Sequence, residues 1–353
     1  MPDLVVAGAG MAGLAAAAHA RSRGADVVVL EKGDRAGGSM LLSSGMIWRH
    51  RDFADMRAEA PHGDPELQRL VFDRLDADLD WLESLGASVT ERVTGNPATT
   101  GRRFDTASLT EALVAVAGDV RLEQPLRELP DDAPVVLATG GFAANRDLVR
   151  EHITPEADDL MLRATPWSTG DGVLLGLTAG AERSAGLDEF YGRNMPAPPA
   201  RVSERDFVSL SQLYARHATV ANANGDQHRA GTWSEIDVVQ WTARQPGARA
   251  WYHVDESALE ERVRDLTVAE MVDAAERAGA PVTRSDGAVT VETVAAITTT
   301  LGGLRIDARA QAAPGVYAAG HDAGGIATGG YASGLAAALV LGRIAAESAL
   351  EAR

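Results

Sequence analysis

The segment Gly8-Ala9-Gly10-Met11-Ala12-Gly13 constrains this chain more than any other, because of what flanks it. An apolar run, Leu4–Ala7, precedes it, and an alanine-rich stretch follows it to about Arg23, where Gly24 ends the pattern. A second run of β-branched residues, Asp26–Leu30, comes next, and Glu31 stands at its end, 18 residues after Gly13. Strand, glycine turn, helix and strand in that order predict a β–α–β unit that holds a dinucleotide. Gly8 makes the tight turn, Gly10 lets backbone approach a pyrophosphate, and Gly13 lets the helix lie close on the strand. Met11 and Ala12 stand at the helix start, where N–H groups and the dipole favour an anion. Glu31 can accept both hydroxyls of an adenosine ribose.

Nicotinamide enzymes and flavoproteins share this first unit, and three further features favour FAD. Glu31 continues through Lys32 and Gly33 into Gly37-Gly38-Ser39, a run able to wrap a pyrophosphate and ribityl chain, with Ser44 and Gly45 in the same loop. Val135-Val136-Leu137-Ala138-Thr139-Gly140-Gly141 reads as a buried strand ending in a turn. Far along the chain, Gly315–Ala319 reads as a strand that delivers Gly320, His321 and Asp322 to a position suited to a ribityl hydroxyl.

The rest of the pattern is mixed. Helices are predicted at about Pro65–Leu85, Thr106–Val116, Ser257–Ala278 and Gly334–Leu350, with short strands at Val120–Leu122 and Trp251–Asp255. On this reading Glu256–Arg264 is a solvated helix face, and Trp233, Trp241 and Trp251 form the core of the middle region, one of them able to wall an apolar pocket. Between Asn194 and Gln245 prolines, polar residues and aromatics alternate without a clear period. The expected fold is α/β, a discontinuous Rossmann-type FAD-binding domain (1–186 and 298–353) with an α+β capping domain inserted at 187–297.

Several stretches together resemble the fumarate reductase/succinate dehydrogenase flavoprotein superfamily, which also holds 3-ketosteroid Δ1-dehydrogenases and tricarballylate dehydrogenases. They are Val5–Gly13 with Glu31–Ser39, Gly45-Met46-Ile47-Trp48, Asp80–Gly86, Ala138–Phe142 with Asn145, Thr169-Gly170-Asp171-Gly172, Thr300–Leu304, and Ala323-Gly324-Gly325 through Ala345. The resemblance implies that Met46, Asn145 and Asp171 belong to the cofactor site, and Leu126 is placed there too. It also implies that Ser333, Gly334 and Leu335 present N–H groups to the flavin pyrimidine, where a helix N-terminus stabilises reduced flavin. The loop Ser39–Ser44 has no histidine, so FAD is expected to be non-covalent.

Where the chain departs from that pattern it speaks about the substrate. Thr298 stands where fumarate reductases have a histidine, Gly329 where they have a carboxylate-binding arginine, and Glu235 near the place of the catalytic arginine. Two carboxylates are not desolvated without partners, so a C4-dicarboxylate is not the expected substrate. Tyr331 precedes the closing helix and resembles the tyrosines of ketosteroid dehydrogenase sites. A helix dipole there favours phenolate, which suits a proton shuttle. Tyr191 is the second catalytic candidate. His321 is read as a ribityl contact, and His217, His228 and His253 lack metal-site spacing.

The expected activity is therefore FAD-dependent addition or removal of vicinal hydrogens beside a carbonyl on a small, mostly uncharged substrate. The alternatives are amine or alcohol oxidation at the same flavin, or a flavin-binding regulator without turnover. A formal charge of −17 argues against nucleic acid and anionic membrane partners. With no cysteine, and Lys32 the only lysine, clusters, disulfides and Walker-type loops are excluded. The electron donor or acceptor is not legible. No stretch reads as a leader or membrane span, and the expected location is cytoplasmic.

Overall fold

The computed structural model describes residues 1–232 and 234–352; Trp233, read above as part of the middle core, lies outside them. The chain forms two compact units. The larger comprises Met1–Asn145, Thr165–Glu189 and Thr299–Arg353, and the smaller Arg146–Ala164 and Phe190–Thr298.

In the larger unit a six-stranded sheet runs in the order Gln311–Ala313, Val316–Ala318, Val135–Leu137, Leu4–Ala7, Val27–Leu30, Asp119–Arg121. All neighbours are parallel except the edge strand Gln311–Ala313. Leu4–Ala7, Val27–Val29 and Val135–Leu137 are buried, which explains their uninterrupted apolar sequence. The helix Met11–Ser22 follows the first strand, and the closing helix Gly334–Glu351 lies against it. A Cβ on Gly342 would sit 2.4 Å from the Ala12 carbonyl oxygen, so two backbones meet there with no side chain between them. A three-stranded antiparallel sheet, Met46–His50, Thr99–Phe104 and Val89–Glu91, completes this unit.

The smaller unit is built on the strand Ala288–Thr300, which pairs antiparallel with Arg249–Asp255 and with Val282–Ser285. Its core holds Tyr214, Tyr252, Val254, Val272 and Val291, with Trp241 packed against it and stacked on His228 at 5.4 Å. Met161–Leu162 pairs with Ala296–Ile297. That pairing draws Arg146–Ala164, which the sequence reading left in the larger unit, into the smaller one. The expected helix over Ser257–Ala278 begins only at Val268, where Thr267 and Glu270 form a capping box. Glu256–Arg264, expected as a solvated helix face, is instead a short 3₁₀ turn running into the hairpin Arg262–Val263/Leu266–Thr267.

One ionic network ties the larger unit's helices. Asp78, 1% exposed, accepts from Arg343, whose guanidinium also lies 4.4 Å from the Trp81 ring, and Arg74 grips Glu347 bidentately at 2.8 Å. Burial pushes the Asp78 carboxyl up to about 6. Removing one partner leaves the other buried and unpaired, so Asp78→Ala is expected to cost about 3–5 kcal/mol in urea unfolding. The double variant Asp78→Leu/Arg343→Met is expected to recover most of that loss. If the two single losses simply add in the double variant, the pair is not coupled.

Candidate functional site

The glycines of the first turn leave a slot. A Cβ on Gly8 (φ +102°) would sit 2.3 Å from the Ala138 carbonyl, and one on Gly13 would sit 1.9 Å from that of Gly8. Gly10 differs: its nearest neighbour is Gly38 Cα at 4.0 Å. Open space bounded by two glycine backbones is what an approaching pyrophosphate needs. The helix beside it, opening with Met11, Ala12 and Gly13, starts without a side-chain cap.

Glu31 is 7% exposed and braces this slot, accepting from Ala9 N at 2.7 Å and Gly33 N at 2.6 Å. Each oxygen keeps a further lone pair for a ribose hydroxyl. Lys32 Nζ donates to Thr169 Oγ1 at 2.5 Å and Asp171 Oδ2 at 2.9 Å, joining two predicted cofactor residues directly. Asn145 Nδ2 donates to the Thr169 carbonyl at 3.0 Å, and Ser39 Oγ accepts from Thr165 N at 3.3 Å. Ser44 leads into Gly45 (φ +69°), where the chain passes the Phe104 carbonyl before Met46 opens its strand. Leu126 packs half-buried on the core.

Asp322, expected in the cofactor segment, is fully buried and accepts from Thr139 N at 2.5 Å, Gly141 N at 2.9 Å and Thr139 Oγ1 at 3.1 Å. Its carboxylate braces the turn that carries Thr139 and Gly140, two other residues of that segment.

Gly320 and His321 end the neighbouring strand at the mouth of the closing helix. A Cβ on Gly334 would sit 2.9 Å from His321 Nε2, and burial pushes that imidazole down to about 4, so it is neutral at physiological pH. Ser333 caps the helix by accepting from Ala336 N at 3.3 Å, and Leu335 is half-buried in its first turn. Tyr331, two residues earlier, sets its ring against Trp48 at 6.0 Å, and Trp48 stands 5.4 Å from the His50 ring. His50 is 6% exposed, and neither ring nitrogen has a hydrogen-bond partner among the described residues. The sequence reading missed Trp48 and His50 as neighbours of Tyr331. Their i, i+2 spacing on a strand was the available signal.

The departures from the dicarboxylate pattern have structural reasons. Gly329 adopts φ +84°, its N–H donates to Glu189 Oε2 at 2.7 Å, and a Cβ would sit 2.6 Å from the His62 ring. A side chain at this position would meet the His62 ring and a left-handed backbone that disfavours it. In the smaller unit Thr298 Oγ1 accepts from Arg163 Nη1 at 3.0 Å, a cation the sequence reading did not connect with it. Glu235 sits at φ +56°, 8% exposed, with its carboxyl pushed up by burial. Tyr191 belongs to the same unit, under the Arg193 guanidinium at 5.0 Å. Burial raises its phenol, but Arg193, Arg163 and Arg264 together outweigh that and bring it below the ordinary tyrosine value. Among the described residues no group of histidine and acidic side chains is arranged to hold a metal, and no helix is long and apolar enough to cross a membrane.

A parallel sheet carrying a glycine slot, a bracing acid and a second helix N-terminus defines a dinucleotide-binding flavoprotein. The family described as FAD binding domain matches residues 3–127 and 110–335, and the chain belongs to it, with FAD as its cofactor. The probable fumarate reductase Ifc3 of Shewanella frigidimarina is 23% identical over 306 residues, 72% of this chain and 50% of the relative. The vinyl phenol reductase of Lactiplantibacillus plantarum is 23% identical over 253 residues, 56% of this chain and 49% of the relative. The chain thus spans about half the length of the curated relatives it matches. The fold is shared with an open flavocytochrome c3 fumarate reductase (TM-score 0.74, 22% identity, 99% of this chain and 78% of the other). It is shared equally with the 3-ketosteroid Δ4-(5α)-dehydrogenase of Rhodococcus jostii (TM-score 0.73, 21% identity, 99% and 96%).

Because the folded His321 titrates below its ordinary 6.5, protonation favours the unfolded chain, and stability is lost as pH falls from 6.5 toward 4. The full shift corresponds to about 3 kcal/mol. The gap in unfolding free energy between wild type and His321→Asn is expected to move by up to that amount between pH 7 and pH 4. A gap independent of pH would show that the folded protein protonates His321 as readily as the unfolded chain does.

Proposed function

We propose that this protein moves two vicinal hydrogens to or from a carbon–carbon bond beside an activating carbonyl, with Tyr331 carrying the proton. When bound, FAD supplies a hydride acceptor and donor at N5. The chain's part is to hold and to protonate. The slot at Gly10 and Gly38, braced by Glu31, fits a pyrophosphate. The N-terminus of the closing helix, with Ser333, Gly334 and Leu335, fits the end of the ring that gains negative charge on reduction. Neutral His321 beside that terminus can offer a hydrogen bond without adding charge.

The observation that carries the reading is the position of Tyr331. Its ring is held by Trp48, and its backbone leads in two residues to the N-cap Ser333. A phenol there carries one ionisable oxygen, which can donate or accept a proton. Relatives named for fumarate and vinyl phenol reduction both act on carbon–carbon double bonds, in accord with this chemistry. Gly329, with Glu189 on its N–H, is poorly suited to a second substrate carboxylate, so fumarate and succinate are not the substrates proposed. A separate donor or acceptor exchanges electrons with the flavin.

Tyr331→Phe keeps the ring and removes the ionisable atom. FAD content is expected to be unchanged, while flavin reduction or reoxidation by substrate in rapid mixing slows by about 10²–10⁴. A variant that runs at the wild-type rate would make Tyr331 a packing residue. Reduced protein is expected to show no turnover of fumarate, and a kcat of ~1–10³ s⁻¹ would overturn the substrate argument.

A further inference from the structure

His50 is a polar side chain in a place where an apolar one would be easier to bury. It ends the strand Met46–His50 at 6% exposure, and neither ring nitrogen has a hydrogen-bond partner among the described residues. Its ring lines a small cavity in the larger unit, whose walls include the apolar Met56, Val71 and Ile326 together with Trp48, Ala332 and Ser333. A buried polar group without a partner is destabilising, so an imidazole in this setting calls for an occupant that can both donate and accept. Water has both capacities, and the space suits water rather than a substrate. Ser333 supplies a second anchor. Its Oγ accepts from Ala336 N at 3.3 Å and from Trp48 N at 3.5 Å, and its own hydroxyl hydrogen has no acceptor among the described residues. An imidazole N–H, an imidazole lone pair and a serine O–H on the walls of one cavity meet the need of an ordered water for several polar partners.

The cavity has an outer and an inner end. Arg49 lines it too, donating to the His50 carbonyl at 2.9 Å and to Asp76 at 2.6 Å, and the Asp76 side chain is 59% exposed. Inward, Ala332 and Ser333 directly follow Tyr331 in the chain, and the Trp48 ring stands 5.4 Å from the His50 ring and 6.0 Å from that of Tyr331. The charged groups around His50 are Arg49, paired with Asp76 of the helix Pro65–Ser84, and Asp55 of the helix Phe53–Glu59; the closing helix contributes Ala336 and Ala337. Burial lowers the pKa of the imidazole and Asp55 opposes this, which leaves the ring neutral at physiological pH. A neutral imidazole keeps one nitrogen that can take a proton and another that can release one.

We propose that His50, through water held between it and Ser333, conducts protons between solvent and Tyr331. One ring nitrogen takes up a proton, the other gives its own to the cavity water, and that water gives one to the Tyr331 oxygen. A single proton moves inward and the imidazole stays neutral; the reverse sequence carries one outward. His50 is thus a relay that does not touch the substrate. The relay rests on the proton role of Tyr331 proposed above, because a phenol that has given its proton away must regain one before the next turnover. The water site does not rest on it.

The test uses the FAD-loaded protein. A high-resolution crystal structure of the wild type is expected to show a water within hydrogen-bond distance of a His50 nitrogen and of Ser333 Oγ; a dry cavity overturns the site. Kinetics use reduced viologen as donor and benzylideneacetone, a neutral enone, as acceptor, with variants compared at equal FAD content. His50→Gln still hydrogen-bonds but has no second nitrogen on a shared ring to pass a proton through. Its steady-state turnover is expected to fall about tenfold or more. The first flavin reoxidation in rapid mixing, which draws on the proton Tyr331 already holds, is expected to fall by less. Added imidazole is expected to restore part of the turnover lost in His50→Ala, a response that a packing role would not give. Losses of equal size in both regimes, or no loss, overturn the relay and leave the reaction standing. No reoxidation by the enone, or a first reoxidation that Tyr331→Phe leaves untouched, counts against the reaction and removes the relay with it, while the water site is judged on the crystal structure.

Discussion

The larger unit depends on the meeting of the chain's two ends. The first and last helices touch through alanine and glycine, with Gly342 against the Ala12 carbonyl and Ala15–Ala18 buried completely. Small residues let the helix axes approach closely, and that approach fixes the closing helix on the first. Larger side chains at Gly342 or Ala12 would push the two helices apart.

Around that contact, buried acids act as internal ligands. Glu31 holds the backbone of Ala9 and Gly33, and Asp322 that of Thr139 and Gly141. Each takes N–H groups that a tight glycine turn leaves without a helix or sheet partner. Burial makes Asp322 costly to ionise, and the donors on Thr139 and Gly141 offset part of the cost. The cofactor turns are thus shaped before any ligand arrives, which lowers the ordering that binding requires.

Much of this was legible in the sequence because it is local. Gly8, Gly10, Gly13 and Glu31 lie within one β–α–β unit, and the closing helix was read to within a residue of its observed end. Where reading failed, the missing information was not local. Nothing between residues 257 and 267 says that its polar run turns back at Arg264, since charged residues suit a solvated helix and a hairpin tip alike. Met161–Leu162 is too short to be read as a strand without its partner Ala296–Ile297. The bond from Asp322 to Thr139, 183 residues away, likewise shows in no short stretch of the chain.

The sequence by itself determined the cofactor class, since a phosphate slot is made from glycines at fixed spacing and an acid at the end of the next strand. Only the tertiary structure decided that Gly329 takes a left-handed backbone beside His62 and that the rings of Trp48 and Tyr331 meet. It alone decided that Arg193 lies over the Tyr191 ring and that Arg163 donates to Thr298. Charge clusters and ring contacts depend on which strands pair and where hairpins turn, and those choices are made by the burial of whole surfaces rather than by any short stretch of chain.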